Sequence, residues 1–293
     1  RRPGAAEGGE GVRLGCERAG QQVAFAYDWP LWLESVDGLE ESLQSVSTRK
    51  PTGADGEQYT GSTADKRNIL ITAAFRGTPE EHQALRDQLY AFFQPREAGT
   101  LYLYDHGTAK RITYYPERCS FGTAGRLRRM TVSLICPDPI FYGTEDETVD
   151  MAEVVGLLEW PVELTGSFEV GRRTGTLMAS ITNLSSVARG LTIRFEAAGE
   201  VVNPGMVEVT RQESFAIRAT MHAGDVITVT TGEGEKRVYL TRGVTTTNIN
   251  HLWTFGGTWL QARPGENVFR YTAEEGSSAL SASITSTPAF WGA

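Results

Sequence analysis

Met130-Thr131-Val132-Ser133-Leu134-Ile135-Cys136-Pro137-Asp138-Pro139-Ile140-Phe141-Tyr142 is the stretch on which the reading of this chain turns. Met130, Val132, Leu134 and Cys136 share one face of an alternating strand, while Arg129, Thr131 and Ser133 share the other. Two prolines then bracket an aspartate. Neither proline can donate a backbone hydrogen bond, and each biases the residue before it away from helix. The ladder is therefore expected to end at about Cys136, where the chain passes from one packed body to another.

Length agrees with that division, since 293 residues suggest about two domains. The expected boundaries are a flexible N-terminal arm over 1–20, a first domain over 21–142 and a second over 143–293. Arg1 to Gly11 is polar and Gly-rich, without the apolar core of a secretory signal. No run of ~18 apolar residues occurs, so neither a membrane span nor a membrane partner is expected.

The formal net charge of -8 disfavours general nucleic-acid binding, which needs a basic footprint. Charge is uneven, however. Lys110, Arg111, Arg118, Arg126, Arg128 and Arg129 form a basic region opposed within it only by Asp105 and Glu117. Glu145 to Glu169 is acidic, with no Lys or Arg. The plain reading is two solvated faces of opposite sign. The sharper one sets Lys110, Arg111, Arg126, Arg128 and Arg129 against Glu145, Asp146 and Glu147 of another copy.

The first half mixes strands with one helix. Val23, Phe25 and Tyr27 alternate with Gln22, Ala24 and Ala26, and Leu31-Trp32-Leu33 follows Pro30. Gln44 to Arg67 is polar, with Pro51 and several glycines, and reads as a long loop before the strand Asn68–Phe75. Thr78, Pro79 and Glu81 have the spacing of a capping box with proline at the first helical position. Leu85, Leu89, Phe92 and Phe93 form its apolar stripe, and Pro95 stops it. Leu101–Tyr104 and Arg111–Tyr115 flank Asp105-His106-Gly107 as a hairpin. The second half reads as short strands throughout, around Leu191–Phe195, Phe215–Ile217, Ile227–Val229, Arg237–Leu240, Phe269–Tyr271 and Leu280–Ile284, which indicates a sandwich or barrel. The fold class is mainly β with a single helix.

Little in the chain promises chemistry. Cys16, Cys119 and Cys136 are odd in number and widely spaced, so they build neither a disulfide framework nor a metal knuckle. His82, His106, His222 and His251 stand alone, outside any zinc spacing. Neither a G-x-S-x-G elbow nor a Walker A loop is present. No catalytic residue, metal or cofactor is expected, although a carboxylate pair of the glycosidase kind cannot be tested by sequence. His251, Trp253, Trp259 and Arg263, with Asn248, Asn250, Glu266 and Asn267 nearby, combine aromatic faces with planar polar groups as sugar sites do. The same residues also suit a core beside a type II turn at Arg263-Pro264-Gly265-Glu266-Asn267.

Four blocks in order resemble the distal tail protein (Dit) family of long-tailed bacteriophages and prophages. They are Gly53-Ala54-Asp55-Gly56 with Gly61 and Arg67–Ile71; Thr78 to Phe93 with Phe93-Gln94-Pro95; Leu134 to Phe141; and Arg263 to Asn267. Ile140 stands where an aromatic is usual, and Asn203-Pro204 matches the family's Asn-Pro element loosely. The resemblance implies a ring-forming β domain with one helix, a C-terminal galectin-like β-sandwich and no catalytic activity. It implies a homohexamer at the tail tip of a virion, made in the bacterial cytoplasm. Its partners would be the tail tube protein, the tape measure protein and the tail-associated baseplate hub protein, with DNA crossing the lumen.

Under that resemblance the long loop is expected to order itself by lying across a neighbouring subunit, with Thr52, Gly53, Asp55, Gly56, Tyr59, Gly61 and Arg67 as its candidate contacts. Two other functions are weighed. One is a carbohydrate-binding tail component that reads the host surface through the C-terminal sandwich; the other is a tail-associated hydrolase.

Overall fold

The computed structural model describes residues 13–41, 44–53, 55–105, 108–124, 127–151, 153–156, 171–174, 178–185 and 187–292. The chain divides into two compact units: residues up to Thr144 together with Phe290 onward, and Glu145–Ala289. The chain therefore leaves the first unit once and re-enters it.

In the first unit β1 (Arg13–Arg18), β2 (Gln21–Phe25) and β3 (Leu31–Asp37) precede a hairpin of β4 (Gln44–Arg49) and β5 (Gln58–Ala64). Then come β6 (Arg67–Phe75), α1 (Pro79–Phe92), β7 (Gly99–Asp105), β8 (Thr108–Ala124), β9 (Leu127–Cys136) and β10 (Phe141–Gly143). The main sheet runs β2-β1-β7-β8-β9-β6-β3, with antiparallel pairing between neighbours. Its two ends meet: Ala26 bridges Trp32, and Leu33 N donates to Ala26 O at 2.7 Å. Strand β8 makes this curl. Its first half pairs β7 and its second pairs β9, with a register shift between Pro116 and Arg118, where a residue without an N–H tolerates a break in the ladder.

Each strand sends one face inward. Leu14, Cys16, Ile69, Ile71, Leu101, Leu103, Met130, Val132, Leu134 and Cys136 are buried together with Phe25, Phe75 and Tyr114. Two readings change here. Arg13 to Arg18, taken as the end of a polar arm, is a core strand, joined to β2 by the two-residue turn Ala19-Gly20. Both turn residues have positive φ, as a type I′ hairpin requires. Gln44 to Arg67 is not a loop either, since β4 and β5 pair with each other.

The helix begins as its sequence dictates. Glu81 N donates to Thr78 Oγ1 at 3.3 Å, and Thr78 N donates back to Glu81 Oε2 at 2.7 Å. Leu89, Phe92 and Phe93 are buried in the core, with Leu85 packed against it. The last turn of α1 carries no basic residue. Arg18 of β1 supplies one instead, donating to Phe92 O while pairing with Glu97. A cation at that end complements the helix dipole.

The Pro-Asp-Pro stretch behaves as expected of it. β9 ends at Cys136, and Asp138 caps the following turn, accepting from Ile140 N at 3.1 Å and from the Tyr142 hydroxyl at 2.7 Å. Beside it lies Arg67, almost fully buried and without a carboxylate among its hydrogen-bond partners. Its Nε donates to Pro139 O at 2.9 Å, and Nη1 donates to Gly38 O at 2.7 Å and Leu39 O at 3.0 Å. Nη2 donates to Trp291 O, and the guanidinium carbon lies 4.9 Å from the Phe141 ring centre. The sequence reading placed residues 290–293 in the second domain. In the structure Ala289–Phe290 pairs with β10, and Lys110 Nζ donates to Gly292 O at 3.3 Å.

The second unit is a β-sandwich. One sheet orders the strands Glu147–Asp150, Leu280–Ser286, Arg189–Ala197, Val226–Thr230, Arg237–Arg242 and Thr245–Asn248. The other orders Met178–Asn183, Gly265–Thr272, Gly205–Glu208 and Glu213–Ala216. Alternate residues fill the space between them, among them Ile193, Phe195, Ile227, Val229 and Ile284 against Ile181, Met206, Phe215 and Phe269.

Replacing Thr78 by Ala removes one cap and is expected to cost about 1 kcal/mol, read as a lower urea midpoint of the first unit. Arg67→Met strands four carbonyls and should cost about 3 kcal/mol or more, with Arg67→Lys recovering only part of it. The thiols give a third test. Burial pushes Cys16 and Cys136 up to about 12 and Cys119 up to about 11, from an ordinary value of 9.0. In the unfolded chain they ionise first, so stability holds below about pH 9 and declines from there toward about pH 12. Urea midpoints at about pH 7.5 and about pH 10 should show the fall, and a Cys16→Ala, Cys136→Ala variant should show a shallower one.

Candidate functional site

The β4–β5 hairpin is the feature that the first core does not explain. Its strands, Gln-Ser-Val-Ser-Thr-Arg and Gln-Tyr-Thr-Gly-Ser-Thr-Ala, pair with each other and with no other strand among the described residues, and every residue of theirs except Gly61 is exposed. Serine and threonine hold it together: Thr60 Oγ1 donates to Ser47 O at 2.9 Å, and Thr48 Oγ1 donates to Glu57 Oε2. A register shift between Ser47 and Thr48 bends it. Its outer edges present backbone donors and acceptors that a second chain can use.

Thr52, Gly53, Asp55 and Gly56 lie in the exposed connection between its strands, and Tyr59 and Gly61 lie on β5. Arg67 is not part of this surface. It begins β6, and its side chain is enclosed by carbonyls of its own unit. Sequence spacing placed it next to the polar stretch but could not show which way it turned.

The charged candidates are dispersed. Lys110 donates to Gly292 O and lies over the Phe290 ring, and Arg129 pairs with Glu34 at 2.6 Å. Arg111 and Arg118 are exposed, Arg128 is half-buried, and Arg126 lies outside the described residues. In the second unit Glu145, Asp146 and Glu147 are exposed; Asp146 accepts from Thr287 Oγ1 at 2.6 Å, and Glu147 stands 3.8 Å from Arg189. The acidic residues beyond 156 lie outside the described residues as far as 170.

Of the sugar-type residues, Trp253 is enclosed by rings on both faces, 4.5 Å from Phe215 and 3.9 Å from Trp259, stacked within 16° and 8°. Arg263 pairs with Glu213 at 2.6 Å, and His251 is exposed on a 3-10 turn over Asn250–Leu252. The neighbouring amides serve the backbone. Asn250 Oδ1 accepts from Val238 N at 2.6 Å. Asn267, fully buried, donates to Arg263 O at 2.7 Å and Gly265 O at 2.9 Å, closing the turn in which Gly265 takes φ +92. Both faces of the Trp253 ring are therefore occupied by other rings of the same unit. Among the described residues, no group of three or more His, Cys, Asp or Glu side chains could hold a metal ion, and no helix is long and apolar enough to cross a membrane.

One surface escaped the sequence reading. Tyr27, which continues the alternation of Val23 and Phe25 in sequence, lies beyond β2 and is exposed, with Trp29 and Trp32 beside it and Arg76 over Trp29. The available signal was the alternation of β3, where Leu31 and Leu33 face the core and Trp32 therefore faces out.

Residues 30–136 match the family described as phage tail protein RIFT-related domain. Curated proteins yield no match in sequence. Among solved structures, the chain is similar to SPP1 Dit (gp 19.1), described as a paradigm of the hub adsorption apparatus in phages that infect Gram-positive bacteria. The TM-score is 0.70 at 15% identity, over 94% of this chain and 99% of that one. Similarity extends to the baseplate of phage P2 in its activated conformation with Ca, at a TM-score of 0.52 and 8% identity over 94% and 98%. The same baseplate with Sr gives 0.52 at 9% identity over 94% and 97%. Residues 30–136 thus resemble the phage tail protein RIFT-related domain in sequence, and the chain as a whole has the fold of SPP1 Dit.

Proposed function

We propose that this chain is a structural protein of a phage virion, a homohexameric ring at the distal end of a long tail. The observation that carries this reading is the extent of the fold match. The match to SPP1 Dit covers 94% of this chain and 99% of that one, with residues 30–136 also matched in sequence to the RIFT-related domain. The work is mechanical. The ring joins the tail tube to the baseplate or tip, contacts the tape measure protein and the hub protein, and leaves a lumen through which DNA passes. No catalytic step is assigned to it.

The hairpin supports the ring. A polar two-stranded arm with both edges free gains little by being displayed to water, and it gains partners by lying against a neighbour. A contact of that kind uses two different patches on each subunit, and it closes into a ring when the rotation per subunit divides the circle. Residues 52–61 would then work as a clasp, with Tyr59 its main apolar contact. The exposed Arg111, together with Glu145 to Glu147, would steer copies or the tube protein into register. Pairs of this type weaken as salt rises.

Light scattering of the purified chain is expected to give the mass of six subunits, alone or once tail partners are added, with rings in negative stain. Replacing residues 44–64 by a short Gly-Ser turn should leave a folded monomer that still unfolds in a cooperative thermal transition, at a temperature lowered by the loss of assembly. A variant without the hairpin that still formed rings would remove the clasp from the account, and a chain that stayed solitary at high concentration beside its tail partners would remove the ring.

A further inference from the structure

The exposed aromatic surface of the first unit is too concentrated for ordinary solvent display. Tyr27, Trp29 and Trp32 are 52%, 41% and 37% exposed. Ring centres lie 6.0 Å apart for Tyr27 and Trp32 and 5.8 Å apart for Trp29 and Trp32. The guanidinium carbon of Arg76 sits 4.5 Å from the Trp29 ring centre. Single exposed apolar side chains need no explanation, but a contiguous group does. Trp, Tyr and Arg are the residues that concentrate binding energy at protein interfaces.

The hairpin carries a second exposed apolar group. Val46 and Tyr59 are 59% and 62% exposed. Ser62 pairs with Val46 across the hairpin, and the Tyr59 hydroxyl donates to Ser62 Oγ at 3.0 Å, so the three share one face.

The two groups stand at opposite ends of β3. Leu31 pairs with Phe75 and Trp32 with Ala74 at one end, next to Arg76; Asp37 pairs with Leu70 at the other, from which the chain runs into the hairpin. Six residue steps along a strand are about 20 Å. A donor arm at one end of a strand and an acceptor at the other is the arrangement that head-to-tail association of identical chains requires.

We infer that the aromatic surface of Tyr27, Trp29 and Trp32 is the seat of the hairpin of a second copy, with Val46 and Tyr59 packed on the indole rings. This inference rests on the ring reading and names its acceptor. Arg76 lies across Trp29, in place to contact the incoming hairpin, whose Tyr59 and Thr48 carry hydroxyls and whose free edge carries carbonyls. An isologous pairing, patch on patch, would leave the hairpin uncovered and would stop at a dimer.

The test is disulfide trapping in the full chain carrying both Trp32→Cys and Tyr59→Cys, oxidised under assembly conditions and run without reductant. A ladder of covalent multimers, absent from each single variant, is the expected result. Trp32→Ala should weaken assembly about ten-fold or more while Trp32→Phe restores most of it. Val244→Ala, which alters an exposed apolar residue of the second unit, should leave assembly unchanged. Rings by light scattering without a ladder, and with Trp32→Ala assembling normally, would overturn the acceptor while leaving the ring intact. A chain that forms no ring in any variant would overturn the ring reading, and the acceptor with it. A patch that captures another tail protein in place of the hairpin would overturn the acceptor as well.

Discussion

Segments remote in sequence converge on the guanidinium of Arg67: the turn at Gly38 and Leu39, the proline pair at Pro139, and the C-terminal Trp291. The proline-rich stretch and the neighbouring turn leave carbonyls that no strand can pair, and a buried carbonyl without a donor costs stability. Arginine answers several of them at once because its fork is planar and carries five donors. Burying the charge with no carboxylate hydrogen-bonded to it is tolerable when carbonyl dipoles and the face of Phe141 surround it and Glu41 adds a favourable charge nearby. The entry of β6, the exit from β9 and the end of the chain are held in one arrangement by this side chain.

The hairpin follows a different rule. β4 and β5 carry almost no apolar residues, so they add nothing to the first core, and that core is complete without them. Polar composition and a bend at the register shift limit indiscriminate pairing of the free edges. Under the proposed function, stiffness would reside in the closed sheet and contact with a second copy in the arm, two separate parts of one unit.

Legibility in the sequence tracked how local each cause is. The helix was readable because Thr78, Pro79 and Glu81 act within one turn of each other, and β9 because its alternation and the prolines after it are contiguous. The turn at Pro264-Gly265 was readable for the same reason. The hairpin was missed because strands that pack on no core show no apolar alternation, and β1 because it hides behind a polar, Gly-rich start. The aromatic surface was half visible. Trp32 points outward by parity, but only folding brings Tyr27 and Trp29 to it. The orientation of Arg67 and the return of Phe290 depend on contacts across much of the chain, which no local pattern records.

That return has a bearing on the order in which the two units can be finished. The chain quits the first unit after Thr144 and regains it only at Phe290, so the strand that pairs with β10 follows the whole of the second unit in sequence. Arg67 and Lys110 therefore meet the carbonyls of Trp291 and Gly292 only after the intervening unit has been synthesised. The first unit is opened early along the chain and fastened late, with a second folded body threaded between the two events.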